Sequence, residues 1–143
     1  MGATHGLKRA VLDTNTVIPA LLFGGSSAQL AALWRAQRFV WLASASLVEE
    51  YTRVLAYPKF RLQENEISEI LNEDILPFIT PIEVRSVPAI IRRDPADDQF
   101  LACAIRGRAD AIVSGDAHLL DLGSHKNIPV LRLAEFFQWL DLD

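Results

Sequence analysis

Short apolar runs alternate with helical stretches along this chain, and that alternation limits the folds open to it more than any other feature. Ala10-Val11-Leu12 is apolar at every position and is stopped by Asp13-Thr14-Asn15; Ala111-Ile112-Val113 is stopped by Ser114-Gly115-Asp116. Unbroken apolar runs of this length belong to strands covered on both faces. Phe39–Ala43, Pro81–Val84 and Pro129–Leu131 complete a set of about five strands. Helical stretches fill the intervals. One runs from Thr16 to Phe23, and one places Leu30, Leu33 and Trp34 on a single face after the Gly24–Ser27 loop. Ser46 followed by Glu49 has the form of a capping box and opens a helix through Leu55, with Pro58 ending that region. Ile67, Ile70, Leu71, Ile75 and Phe78 mark the apolar face of another helix. Asp94-Pro95 opens a helix that runs to Gly107, and Leu133–Leu140 closes the chain. Strands alternating with helices predict an α/β fold, an α/β/α sandwich around a mostly parallel sheet.

Composition narrows the classes. With 143 residues, the expectation is one domain over 1–143. Half of the residues are hydrophobic and 22% are charged, which argues against disorder. No apolar run approaches the roughly 18–20 residues of a membrane span, and no signal peptide is expected at Met1–Leu12. Cys103 is the single cysteine, which excludes an internal disulfide and a cysteine-based zinc site. The expected location is the cytoplasm, with no membrane partner. The net charge of −4 is uneven: residues 1–61 carry +4, residues 62–81 carry −5, and residues 82–143 carry −3. One acidic segment supplies most of the excess, so the total does not exclude a nucleic-acid partner.

In open parallel sheets, ligands bind beyond the carboxyl ends of the strands. Asp13 and Asp116 stand at two such ends. Asp94, Asp97 and Asp98 open the helix before the second of these strands, and Glu49 and Glu50 lie in the helix after the second strand. Carboxylates gathered at one edge repel, and a bound divalent cation relieves that repulsion. Hard oxygen donors without cysteine or paired histidine select magnesium or manganese. Plain structural duties account for some of these acids. Asp94 fits a helix cap, and Asp97 fits the first turn, where an acid favours the helix dipole. One of Glu49 and Glu50 fits the cap. Asp98 sits beside apolar positions, and Asp13 follows three apolar residues. Cys103 and the tryptophans Trp34, Trp41 and Trp139 fit core positions. His118 falls near the candidate edge, whereas His5 and His125 read as surface.

Four segments carry a family resemblance: Val11-Leu12-Asp13-Thr14-Asn15, Ser46-Leu47-Val48-Glu49-Glu50-Tyr51, Asp94-Pro95-Ala96-Asp97-Asp98-Gln99-Phe100-Leu101-Ala102, and Ile112-Val113-Ser114-Gly115-Asp116-Ala117-His118-Leu119-Leu120. In order, over about 110 residues, they resemble the PIN-domain family, in the group of toxins from toxin–antitoxin pairs (VapC-like ribonucleases). Tyr57-Pro58-Lys59-Phe60 resembles that group as well. The resemblance implies a PIN-like α/β/α sandwich and a metal-dependent endoribonuclease. It places Asp13, Glu50, Asp98 and Asp116 at the four acidic positions, where they hold Mg²⁺ or Mn²⁺ and serve catalysis. Asn15 and Ser114 fall at the polar supporting positions, serine standing where threonine is common. It further implies an RNA substrate, an antitoxin protein and a homodimer. Water rather than the 2′-hydroxyl would attack, leaving a 5′-phosphate. Arg92, Arg93, Arg106 and Arg108 flank the acids in sequence and are candidates for holding the RNA backbone, as well as for solvated surface.

Two rival readings differ in class. Asp13-Thr14-Asn15-Thr16-Val17 resembles the Asp-x-Asp-x-Thr loop of haloacid-dehalogenase-type phosphatases, with Asp13 as nucleophile. Asn15 in place of the second aspartate, and the lack of lysine between Lys59 and Lys126, count against it. The other is a PIN fold without activity that binds RNA or protein. Its acidic positions are all filled, which argues against decay.

Overall fold

The computed structural model describes residues 6–85 and 95–141, apart from the side chains at positions 95–97, 118 and 125. The chain runs β1 (Arg9–Leu12), α1 (Thr14–Leu22), α2 (Ser26–Arg35), β2 (Val40–Ala43) and α3 (Ala45–Leu55). A 3-10 turn at Pro58–Phe60 and α4 (Glu64–Ile70) follow, then a π-helical turn at Leu71–Ile75, a second 3-10 turn at Leu76–Phe78, and β3 (Ile79–Pro81). The rest is α5 (Pro95–Arg106), β4 (Ala111–Val113), α6 (Ala117–Leu122), β5 (Ser124–His125), β6 (Ile128–Leu131) and α7 (Leu133–Asp141).

The strands form one sheet in the order β3-β2-β1-β4-β6-β5. Five of them are parallel, as predicted, and the two-residue β5 adds an antiparallel edge beside β6. The central strands explain their sequence. β2 and β4 are buried at every position, and β1 at all but its first. Alternating polar residues would there face helices rather than water. From β1 the chain builds outward through β2 to β3, then returns to place β4 on the other side of β1. The β1–β4 boundary is therefore a topological switch point, where the connecting helices part and leave a crevice at the strands' carboxyl ends.

The core confirms the roles read for its aromatic and sulfur residues. Trp34 and Trp41 are buried with ring centroids 4.4 Å apart, and Phe39 meets Phe136 edge-on at 5.0 Å. Cys103 is fully buried, and burial pushes its thiol up to about 12. Trp139 lies at the margin of this core, with the Lys8 ammonium 4.5 Å above its ring.

Several boundaries depart from expectation. The third strand is Ile79–Pro81, because Trp41, Leu42 and Ala43 pair with Ile79, Thr80 and Pro81 rather than with residues further on. α1 begins at Thr14, so Pro19 lies inside the helix and not in its first turn. Proline there removes the α-helical donor to the Asn15 carbonyl. The cap of α3 is Ser44, whose hydroxyl accepts from Leu47 N at 3.3 Å; Ser46 lies exposed inside the first turn. The expected helix over residues 67–78 is divided by its π and 3-10 turns, though Ile67 and Ile75 still point into the core. Among the described residues, no single helix is long and apolar enough to cross a membrane.

Candidate active site

At the switch point, the ends of β1 and β4 are tied by one hydroxyl. Asp13 N donates to Val113 O at 2.9 Å, so the Asp13 backbone still belongs to the β1–β4 ladder. Asp13 is the N-cap residue of α1, yet its carboxylate caps nothing. Its Oδ2 instead accepts from Ser114 Oγ at 2.6 Å. Ser114 is fully buried, and the same Oγ accepts from Asp116 N at 2.9 Å. Asp116 is half-buried, and its Oδ1 accepts from Leu119 N at 3.2 Å, which caps α6.

The third acid comes from α3. Thr14 Oγ1 donates a short hydrogen bond to Glu50 Oε2, and Arg53 Nη2 donates to Glu50 Oε1 at 3.2 Å. Tyr51, the next residue, donates from its hydroxyl to Leu12 O at 2.5 Å and fixes α3 against β1. Burial pushes that phenol well above its ordinary range. Between the two glutamates, Glu50 faces this site and Glu49 is exposed outside it.

A cavity of about 570 Å³ opens here. Its lining joins Asp13, Asn15, Glu50 and Asp116 to Arg53 and Lys59, and to the rings of Phe23, Tyr57 and Phe60. Asp13 is only 4% exposed. Burial is the main force that pushes its carboxyl up from 3.8 to about 6; the Ser114 hydrogen bond pulls it partly back, and the charges of Asp116 and Glu50 push further. An acid so perturbed in a cleft, beside two like charges, is a marker of function.

Of the remaining expected residues, the described ones do not line the cavity. Asp98 is buried on the first turn of α5 and is not part of the cavity lining. Arg106 and Arg108 are exposed on the approach to the amino end of β4, whereas the cavity opens at the carboxyl ends of the strands. The reason is helical length: α5 is about 18 Å long and carries the chain away from the site. There the Arg9 guanidinium grips Gly107 O at 2.8 and 3.1 Å. Neither lines the cavity, and both are exposed, as the solvated-surface reading given beside the backbone-holding one expects. Arg92, Arg93, Asp94 and His5, and the side chains of Asp97, His118 and His125, lie outside the described residues. Thr14 and Arg53, which hold Glu50, were not foreseen. A threonine directly after a strand-end aspartate was the one available signal for Thr14.

Asp13, Glu50 and Asp116 offer only carboxylate oxygens, a donor set suited to a hard divalent cation. Among the described residues, no three His, Cys, Asp or Glu stand close enough together to hold a metal ion as they are. The chemistry of the donors fits such an ion, and their spacing is open.

A parallel α/β sheet with carboxylates at its switch point defines the class, and comparison with known proteins gives the family. The chain matches the family described as PIN domain over residues 9–118, and it belongs to that family. PIN domains are in general nucleases that use divalent metal ions. Membership displaces the phosphatase reading of the Asp13 loop. No curated protein matches the chain in sequence. Among solved structures, it is similar to a chain of FitAcB from Neisseria gonorrhoeae, with 18% identity, a TM-score of 0.58, and coverage of 87% of this chain and 98% of that one. It is also similar to a chain of VapBC2 from Rickettsia felis bound to a DNA fragment from their promoter, with 13% identity, a TM-score of 0.59 and the same coverage. Both share the fold.

Proposed function

We propose that this protein is a metal-dependent endoribonuclease, the toxin of a toxin–antitoxin pair, with Asp13, Glu50 and Asp116 as its working acids. The observation that carries the reading is the buried Asp13 carboxylate, tied to the β4 end through Ser114 and facing Glu50 and Asp116 across one cavity. Asp13, Glu50 and Asp116 would hold Mg²⁺ or Mn²⁺, and the ion would supply water activation and offset charge developing on the phosphodiester.

The chain's own groups prepare the site. Ser114 orients Asp13 through Oδ2. Thr14 and Arg53 hold both Glu50 oxygens and keep that side chain from swinging into solvent. Asn15 adds a polar group to the cavity lining. Asp98 is retained as the fourth acid of the family pattern, to be tested by substitution. The antitoxin partner, a homodimer and a cytoplasmic setting belong to the same proposal, and the two similar structures, FitAcB and VapBC2, support the first.

The test is cleavage of a mixed-sequence fluorogenic RNA in Mn²⁺, Mg²⁺ or EDTA. Wild type should cleave in metal and not in EDTA, giving 5′-phosphate ends. Asp13→Asn and Asp116→Asn should lose at least 100-fold, within the range typical of removing one electrostatic catalytic group. Cleavage that survives EDTA or both substitutions rejects the assignment. Strong metal-independent RNA binding by wild type without turnover would favour the inactive binding module.

A further inference from the structure

The cavity is more than its acids. Tyr57 and Phe23 are exposed by 45% and 56%, two of the three large apolar side chains most open to solvent among the described residues, and both line it. Apolar side chains grouped around one cavity, rather than scattered singly, mark an interaction site. Phe60 stands beside Phe23, with ring centroids 6.3 Å apart and tilted by 50°. Lys59 also lines the cavity, with its ammonium 5.1 Å from the Phe60 ring.

The backbone holding these side chains is fixed. Pro58 opens the 3-10 turn, Tyr57 N donates to Val54 O at 3.0 Å, and Phe60 N donates to Tyr57 O at 3.0 Å. Arg61 N donates to Pro58 O at 3.1 Å with Arg61 in the left-handed region at φ 54°, which ends the turn. A floppy loop would lose much of its contact energy in ordering; this one is already ordered.

We infer that Tyr57-Pro58-Lys59-Phe60 and Phe23 form a nucleotide-binding wall, on which an unpaired base next to the scissile phosphate stacks while Lys59 takes a neighbouring phosphate. This rests on the ribonuclease reading of the same cavity. Flat, exposed rings suit a base face, and stacking needs single-stranded RNA because paired bases keep their faces covered. A polyanion approaching three carboxylates needs cations at the margin, and Lys59 and Arg53 supply them. The wall therefore selects for an accessible base at the cleavage point.

Binding of fluorescein-labelled single-stranded RNA octamers tests this, measured by anisotropy in EDTA so that nothing is cleaved. One octamer is intact, and the others each carry one abasic position. Tyr57→Ala should weaken binding of the intact octamer by about fivefold to a hundredfold, the range found for loss of one base–aromatic stack. Tyr57→Trp should restore it. Wild type should bind one abasic octamer worse than the rest, and Tyr57→Ala should lose that discrimination. Lys59→Ala should lower the slope of log affinity against log salt by about 0.7, one phosphate contact on a single strand. Tyr57 and Lys59 are exposed, and circular dichroism checks that the variants fold. If wild type cleaves and binds RNA while Tyr57→Ala and Lys59→Ala bind as wild type does, the wall serves a protein segment and the inference is overturned alone. If wild type neither binds nor cleaves RNA, the ribonuclease reading falls and takes the inference with it.

Discussion

A carboxylate taken out of water loses hydration, and the groups around Asp13 return only part of it. Folded, Asp13 takes up its proton at about pH 6; unfolded, at about 3.8. Between these values the folded state binds more protons, so this residue's contribution to metal-free stability falls as pH rises from about 4 to about 6, then levels off. The gap of about two units sets a ceiling of roughly 3 kcal/mol. Asp13→Asn is therefore expected to stabilise the metal-free protein at pH 7 by about 1–3 kcal/mol and to gain little at pH 4. Urea unfolding in EDTA at both pH values checks this; an advantage as large at pH 4 as at pH 7 would refute the burial argument. Ser114 is the counterpart. Ser114→Ala removes the donor to Asp13 and the acceptor for Asp116 N, at a cost of about 1–3 kcal/mol. In the Asp13→Asn background the same change should cost less, because the charge-assisted half of the network is already gone. A double-mutant cycle with no coupling would show that the serine holds nothing.

At the scale of elements, α3 brings Glu50 to the cavity and Tyr51 to Leu12, so its start matters to the site. Ser44→Ala should destabilise the protein by about 1 kcal/mol, since Leu47 N loses its acceptor. Ser46→Ala should stay within about 0.5 kcal/mol, as an exposed position without a partner role. Thermal unfolding of the two variants settles which serine caps; equal losses would contradict the Ser44 assignment. The sequence pointed to Ser46 because Glu49 follows at the right spacing, and spacing carries no record of which hydroxyl turns toward the amides. Elsewhere it read well. β1, β2 and β4 were legible because burial on both faces demands unbroken apolar runs. β3 was displaced because an edge strand of mixed exposure leaves a weaker pattern, and β5 is too short to leave one. Asp13 and Asp116 could be found because strand ends are fixed points in a parallel sheet. Arg106 and Arg108 flank the acids in sequence but not in the cavity lining, because a helix separates neighbours in sequence along its length. Tyr57 and Lys59 stood in a visible motif, yet only the folded chain puts them and Asp13 around one cavity.

For the whole molecule, the sheet order concentrates like charge at one crevice and leaves the fold to carry the repulsion. That makes global stability a reporter of the site. Mn²⁺ at about 100 times its dissociation constant should add about 2.7 kcal/mol to the folded state. In a chain of this size that is a rise in Tm of about 5–10 °C. Asp13→Asn should lose most of the rise. Arg106→Ala, on the approach to the amino end of β4, should keep all of it. The proton competes for the same oxygens, so the rise should be small at pH 5, where Asp13 is mostly protonated, and large at pH 7, where it is mostly charged. Differential scanning of the three proteins with Mn²⁺ and with EDTA at both pH values reads all of this without any RNA. An equal Mn²⁺ shift in wild type and Asp13→Asn would place the ion elsewhere, and a shift indifferent to pH would detach it from this carboxylate.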